Sequence, residues 1–438
     1  MIIPAVLFAY AAQNGPKVSY LDNGEIRLGV DLSKGGSITF LAKSKGGENI
    51  VNSFDLGREI QMSNYSGPIP FEPNGKKPNP DWIDLGWNPI QSGDSYGNPS
   101  RVLSFSNDGR EIYVKCIPKQ WPLDDVATAC TFESWIHLEG KVAQVRNVIT
   151  NTRKDLTQYA ARTQELPAIY TNGAWSRLFS YTGDRPFTKA PATQLPSVFP
   201  WGAITATENW VALLNKRNEG VGVWEPGTYA FSGGFAGTPI GSGGPADFQT
   251  GYISPNQNEI LDGNIVYESK YSLIVGSLHE IRAFVDHHSD RPRPPQFDFD
   301  RDRQHWSYVN ASDTGWPISR QLDVQMKDPD PQLIGPPGLW LASQAPVLTI
   351  YGAFNTSSPE LQVFWTRFDD PNFSEEKSVH FNVIPDGKYR AYHIKLWTSS
   401  EYRGSITGLR IDPEPNGAPG DWVKIRSIGF GGDRQPVP

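Results

Sequence analysis

The sequence predicts an all-β fold in two parts, a large β-sandwich in front and a smaller, jelly-roll-like β-sandwich behind. Three observations carry this prediction. Short segments in which apolar and polar residues alternate recur along the chain, and a period of two marks a half-buried strand. Turn dipeptides fall between these segments, in a chain with 42 Gly and 37 Pro, while long helical periods are nearly absent. A Pro-rich, charged, aperiodic run over 290–303 divides the pattern in two, as a linker does.

Taken in order, the front part offers strands at 25–32, 111–117, 131–138, 142–149, 210–214, 221–224 and 271–276. Asn23-Gly24, Asp108-Gly109, Glu139-Gly140, Asn172-Gly173 and Asp262-Gly263 punctuate them, and such pairs suit the backbone of tight turns. Strands in this number need a large sandwich or barrel to bury their apolar faces. Beyond the linker, strands at 319–326, 347–354, 361–367, 378–383, 391–396, 406–411 and 423–428 follow closely on one another, a density that suits a jelly roll. The predicted domains are therefore 12–289 and 304–438, joined by 290–303. Residues 1–11 are apolar and end in Ala9-Tyr10-Ala11, the small-x-small form of an export cleavage site. That reading places the protein outside the cell, in the periplasm or at the cell surface.

Composition narrows the partners. Lys+Arg number 40 against 47 Asp+Glu, a net charge of −7, and there is no basic run, so a phosphate backbone is a poor match and no nucleic-acid partner is expected. Beyond the N-terminus no apolar stretch reaches the roughly 20 residues of a spanning helix, so no membrane span is expected. The two cysteines, Cys116 and Cys130, lie in neighbouring strand-like segments at 111–118 and 127–138. Export would permit a disulfide between them; two free buried thiols are the alternative. The 14 Trp and 17 Tyr either offer flat faces to sugar rings or fill β-sandwich cores.

The front part carries "CTFESWIHLEGKVAQVRNVITNTR", a Glu-bearing strand, a Gly turn and a strand ending in Thr-Asn, together with "LGREIQMSNYSG" and "WNPIQSGD". In these runs it resembles the galactose-mutarotase-like β-supersandwich of mutarotases, several glycoside hydrolases and polysaccharide lyases. The rear part carries "LQVFWTRFDDPNFSEEKSVHFNVIPDGKYRAYHIKLW", "GSITGLRIDP" and "WVKIRSIGF". It resembles the galactose-binding-like or jelly-roll modules appended to bacterial glycan-processing proteins. The resemblance implies a carbohydrate-active protein with an oligo- or polysaccharide partner; it assigns no residue roles.

Candidate residues come from four runs. Over 56–94, Arg58, Gln61, Asn64, Tyr65, Trp87, Asn88, Gln91 and Asp94 concentrate planar donors and aromatic faces, which suit sugar hydroxyls or a uronate carboxylate. In an extended chain Gln61, Ser63 and Tyr65 share one face; the alternative is a buried polar network bracing loops. Over 162–173, Glu165 beside Pro167, with Tyr170 further on, is a candidate general acid or base, or else one half of an ion pair with Arg162. Over 199–210, Trp201 is a candidate sugar platform, Glu208 a second carboxylate, and Trp210 reads as core. The Gly-rich run 233–252 reads as a long loop bordering a cleft. In the rear part Asp369, Asp370 and Asp412 are candidates for a structural calcium site, or are ordinary turn aspartates. No cofactor is expected for catalysis.

Two classes of function follow. As a hydrolase, the chain would use Glu165, Glu208 and Asp94 as acid, base or nucleophile, since glycoside hydrolysis generally takes two carboxylates. As a lyase, Tyr65 would be the base and Arg58 with Asn88 would neutralise a uronate. The alternative is a non-catalytic glycan-binding or surface-assembly protein.

Overall fold

The fold is that of a computed structural model, which describes residues 17–431. The export segment expected at 1–11 lies outside the described residues. The all-β class is what is found: apart from short 3-10 turns, the described residues hold a single α-helix, Leu278–His288, among many strands. Two compact units are present. The first comprises the described residues up to Asp155, with Thr163–Gln257 and Gly263–Asp290. The second comprises Leu156–Arg162, Asn258–Asp262 and the described residues from Arg291 onward.

In the first unit one sheet has ten strands. Its main path runs Val18–Asp22, Ile26–Asp31, Ser37–Lys43, Ile60–Ser63, Arg162–Asn172, Thr250–Glu259, Ala230–Ala236, Gly202–Thr205. The other has nine and is centred on Glu219–Trp224, Val266–Ser277 and Val142–Asn151. Period two decides which residues meet between them. Leu28, Ile38, Ile60, Ile169, Phe231 and Ile253 from the first sheet pack with Val114, Ile136, Val145, Val211, Leu213 and Leu273 from the second. Each such side chain contributes roughly 1.5–3 kcal/mol on burial.

The Trp210–Leu214 strand is buried throughout because both of its faces are covered. Val211 and Leu213 enter the core between the sheets. Trp210, Ala212 and Leu214 point the other way, onto Ile281 and Val285 of the helix. That helix begins with a capping box in which Ser277 and Glu280 satisfy each other's backbone N–H, the reciprocal arrangement that sets a helix start.

The second unit holds two six-stranded antiparallel sheets. Their inner faces meet in one core that includes Trp306, Leu333, Ile350, Val363, Trp365, Ile411 and Ile425. The expected linker is corrected here. Residues 291–295 carry no helix or strand, but Gln296–Asp298 pairs with Trp422–Phe430, and Phe297 and Phe299 lie in the core. Arg303 is a buried ion-pair hub, holding Asp262 Oδ2 at 2.7 Å and both oxygens of Asp313. Proline content marked the start of the run; in its middle Gln296–Asp298 is a strand, and the alternating Phe297 and Phe299 enter the core.

Candidate functional site

The site is built on the face of the ten-stranded sheet that turns away from the core. Ile60, Ile169, Ile253 and Phe231 take the core face of four neighbouring strands, so the intervening residues take the other. Register then pairs Ser63 with Glu165 and Gln61 with Ala168, the Tyr170 N–H donates to the Glu59 carbonyl, and Tyr252 lies opposite Gly234. A register shift between Glu165 and Ala168 re-aims Glu165 within the row, as bulges do.

Glu165 is the centre of this row. The Tyr65 hydroxyl donates to Oε2 at 3.0 Å and the Tyr252 hydroxyl to Oε1 at 2.6 Å. Ser63 donates to the Tyr65 hydroxyl at 2.9 Å. The buried Gln164 amide brackets the Tyr65 backbone, accepting from its N–H and donating to its carbonyl, both at 2.8 Å. Tyr252 stacks on Trp201 with centroids 4.6 Å apart and 24° between planes. Tyr170 leans on Tyr252 at 4.8 Å, and Phe199 meets Trp201 edge-on at 4.9 Å. Trp201 lies so close over Gly234 that a Cβ there would sit 2.0 Å from the Val198 carbonyl and 3.2 Å from the indole. Only glycine lets the platform settle onto the sheet.

Burial raises the Glu165 carboxyl above its ordinary range, although the two tyrosine hydroxyls pull the other way. Burial and the charge of Glu165 push the hydroxyls of Tyr65 and Tyr252 well above 10. Both tyrosines are therefore hydrogen-bond donors near neutrality, and the carboxylate is the group placed to exchange a proton. Tyr65 as a base is thereby corrected: its proton is committed to Glu165.

The other predicted residues separate into three groups. Tyr170 and Trp201 join the site, as the ring contacts above show. Arg58 borders it, held between the Phe54 and Phe248 rings at 4.8 and 4.6 Å and paired with Asp55 at 3.2 Å. Phe248 comes from the Gly-rich run, which is anchored by Asn52 donating to the Asp247 carbonyl at 2.9 Å. Gln61, Asn64, Trp87, Asn88 and Gln91 are all buried and are corrected as ligand-binding residues; the side chains of Gln61, Asn88 and Gln91 brace the surrounding backbone instead. Gln61 accepts from the Ser92 N–H, Gln91 from the Met62 N–H, and Asn88 donates to the Asn64 carbonyl. Arg153 covers the Trp87 ring at 4.4 Å.

The remaining carboxylates do not join Glu165. Asp94 is a loop clamp, accepting from the N–H groups of Tyr96, Asn98 and Asp125 at 2.9–3.0 Å. Glu208 lies beneath the helix, where Arg282 reaches both its oxygens at 2.7 and 2.9 Å and the Phe187 N–H and the Trp210 indole also donate to it. Neither is free to act as a second catalytic carboxylate. Cys116 and Cys130 are free, buried thiols on adjacent strands, so the disulfide is corrected too; Cys116 faces Phe132 and not Cys130. In the second unit Asp369, Asp370 and Asp412 are paired with Arg367, Lys377 and Arg410 respectively. Among the described residues no three His, Cys, Asp or Glu side chains group to hold a metal ion. No helix among the described residues is long and apolar enough to cross a membrane.

Sequence reasoning missed Tyr252 as a partner of Glu165, and Lys34 with Glu59. The signal for Tyr252 was its alternation with the core residue Ile253. Lys34 donates to the fully buried Glu59 at 2.7 Å, and burial raises the Glu59 carboxyl to about 7.

No family model matches the chain, and no curated protein matches it. Among solved structures it is similar to a galactose mutarotase related enzyme from Lactobacillus acidophilus, at 12% identity and a TM-score of 0.37 over 59% of this chain and 97% of that one. It is similar to a galactose mutarotase-like protein from Lactobacillus casei, at 10% identity and 0.37 over 59% and 99%. It is also similar to a 4-alpha-glucanotransferase from Thermococcus litoralis, at 12% identity and 0.31 over 60% of this chain and 40% of that one. These are likenesses across part of the fold, and no chemistry follows from them.

Proposed function

We propose that the chain is a carbohydrate-active protein that binds a saccharide against Trp201 and moves a proton through Glu165. One observation carries this reading: a half-buried carboxylate, held by two tyrosine hydroxyls, stands beside a stacked Trp–Tyr pair on one sheet face. An aromatic face next to a few fixed polar groups is how small-molecule sites combine affinity with orientation. A carboxyl raised by burial above its ordinary range holds a proton more readily, which suits it to give and take one. Two-carboxylate glycoside hydrolysis finds less support than single-carboxylate chemistry, because Glu208 and Asp94 are spent on structure. The proton transfers that fit are those at a sugar hydroxyl or at an acidic sugar C–H, the latter being the lyase case with Glu165 in place of Tyr65.

A specific observation favours a second reading, non-catalytic glycan binding: both oxygens of Glu165 already accept a tyrosine hydroxyl. Glu165→Gln separates the two. Proton transfer predicts a fall in turnover of about 10²–10⁴-fold with saccharide affinity kept. The readouts are new reducing ends, ultraviolet-absorbing unsaturated products and anomer exchange by NMR, across neutral and uronate saccharides. Binding without any product in the wild type selects the second reading. Absence of any saccharide binding, or an E165Q variant with full turnover, overturns the first.

A further inference from the structure

Beside the Glu165 row, the first unit has a pocket of about 560 Å³, within the roughly 300–1,000 Å³ of small-ligand sites. Phe54, Trp82, Tyr96 and Trp121 form its walls and Lys34 lines it as well. Phe54, Trp82 and Tyr96 are 48, 39 and 50% exposed. Single exposed apolar side chains are ordinary, whereas several converging on one concavity mark a binding surface. Trp82 and Trp121 meet edge to face at 5.9 Å and 66°. Trp121 lies over Gly57, where a Cβ would come within 2.8 Å of the indole. The sequence thus keeps residue 57 bare under an indole that the Glu165 row does not use.

We infer that this pocket is a second saccharide subsite, so that the ligand of the first unit is a neutral oligosaccharide and not a single sugar. The inference rests on the saccharide reading of the Glu165 site. Its charge pattern selects the ligand. Lys34 is committed to Glu59 by one of three ammonium donors, which leaves donors for hydroxyls. An anion would have to compete with Glu59 and face Asp55, which also lines the pocket. A cation would meet the Lys34 ammonium, while the two carboxylates of the lining are already held, Asp55 by Arg58 and Asp94 by the N–H groups of Tyr96, Asn98 and Asp125. A neutral, hydroxyl-rich ring meets neither penalty and has aromatic faces to stack on.

Geometry joins the two sites. The Glu59 that holds Lys34 and the Ser63 that holds Tyr65 lie four residues apart, Glu59 immediately before the strand Ile60–Ser63 and Ser63 at its end. At a rise of about 3.3 Å per residue that is roughly 13 Å, longer than one sugar ring. Tyr170, which leans on Tyr252, feels the charges of Glu165, Asp55, Arg58 and Glu59 together, so both sites act on this one residue.

The test is calorimetric titration of the full chain with glucose, galactose, mannose and xylose, and with their two- to four-unit homo-oligosaccharides. The variants are Trp82→Ala, Tyr96→Ser and Trp201→Ala, each checked for folding by circular dichroism. The subsite predicts that the wild type binds an oligosaccharide more tightly than its monosaccharide. It predicts that W82A and Y96S remove about tenfold of that affinity while leaving monosaccharide binding as it was, and that W201A weakens both. Unchanged oligosaccharide affinity in W82A and Y96S, with a loss in W201A, overturns the subsite and leaves the Glu165 reading standing. Loss in W82A and Y96S with none in W201A overturns the Glu165 reading. No binding of any probe by the wild type overturns both.

Discussion

Glu208 and Glu165 are both carboxylates close to aromatic residues, and the structure gives them opposite work. If Glu208 is purely structural, replacing it with alanine must cost stability and spare the chemistry. Its side chain is 1% exposed and that of Arg282 is 20% exposed. Four donors converge on it: Arg282 Nε and Nη2, the Phe187 N–H and the Trp210 indole. Removing one partner of a buried pair leaves an uncompensated charge and typically costs about 3–5 kcal/mol. Because Arg282 keeps some contact with solvent, the lower end applies, about 3 kcal/mol. In a unit of this size that corresponds to a fall of roughly 6–12 °C in melting temperature. The assay is paired: denaturant unfolding followed by tryptophan fluorescence, and saccharide binding or turnover measured below the new transition. The structural role predicts a large shift in the first and none in the second. An E208A protein that melts like the wild type but loses turnover would refute the assignment and restore Glu208 as a catalytic carboxylate.

Three further outcomes are expected. The Glu59 carboxyl is raised by burial from 4.5 to about 7, so the folded state favours the protonated form. The associated stability is complete below about pH 4.5 and is lost as pH rises through about 7, amounting to about 3 kcal/mol at roughly 1.4 kcal/mol for each tenfold gain in proton affinity; Glu59→Gln should flatten this slope in urea midpoints, and an equally steep slope in the variant would count against it. Cys116 and Cys130 are buried, and burial pushes the Cys130 thiol to about 12 and the Cys116 thiol higher still, so a thiol reagent should label both only after denaturation, whereas an intramolecular disulfide in the mass spectrum would contradict the free-thiol assignment. Arg303→Met should destabilise the second unit by about 3–5 kcal/mol by stranding Asp262 and Asp313, seen as a lowered calorimetric transition; an unchanged transition would mean that the network around this 3% exposed guanidinium does not brace the unit.

The fold was legible where its cause is local. Alternation announces a strand within a handful of residues, and 131–138 and 142–149 sit inside the observed Cys130–Glu139 and Val142–Asn151 with Gly140 at the turn between them. Asn23-Gly24 and Asp108-Gly109 likewise fall at turns between paired strands, with positive φ at each glycine. One misreading of organisation, the linker to 303, followed from weighing prolines at 292, 294 and 295 above the alternation of Phe297 and Phe299 that came after them; another was the assignment of 156–162 and 258–262 to the front part, which the structure gives to the second unit.

The site was legible only as a set of candidates. By itself the sequence determined that the chain is all-β, where most turns fall, and that Tyr65, Glu165, Tyr170 and Trp201 belong among the candidates. It could not show that Tyr252 would join them, that Gln61, Asn64 and Asn88 would be sealed away, or that Arg282 would neutralise Glu208. Those outcomes depend on which strands become neighbours and in what register. Tyr65 reaches Glu165 across 100 residues and Tyr252 reaches it across 87, and a slip of one residue in the Arg162–Asn172 or Thr250–Glu259 strand would turn Glu165 or Tyr252 to the opposite face. A two-residue period is written in adjacent positions, whereas the meeting of distant side chains is settled by the packing of the whole core. That is why the tertiary structure alone decided which carboxylate stands at the aromatic platform and which one holds a helix in place.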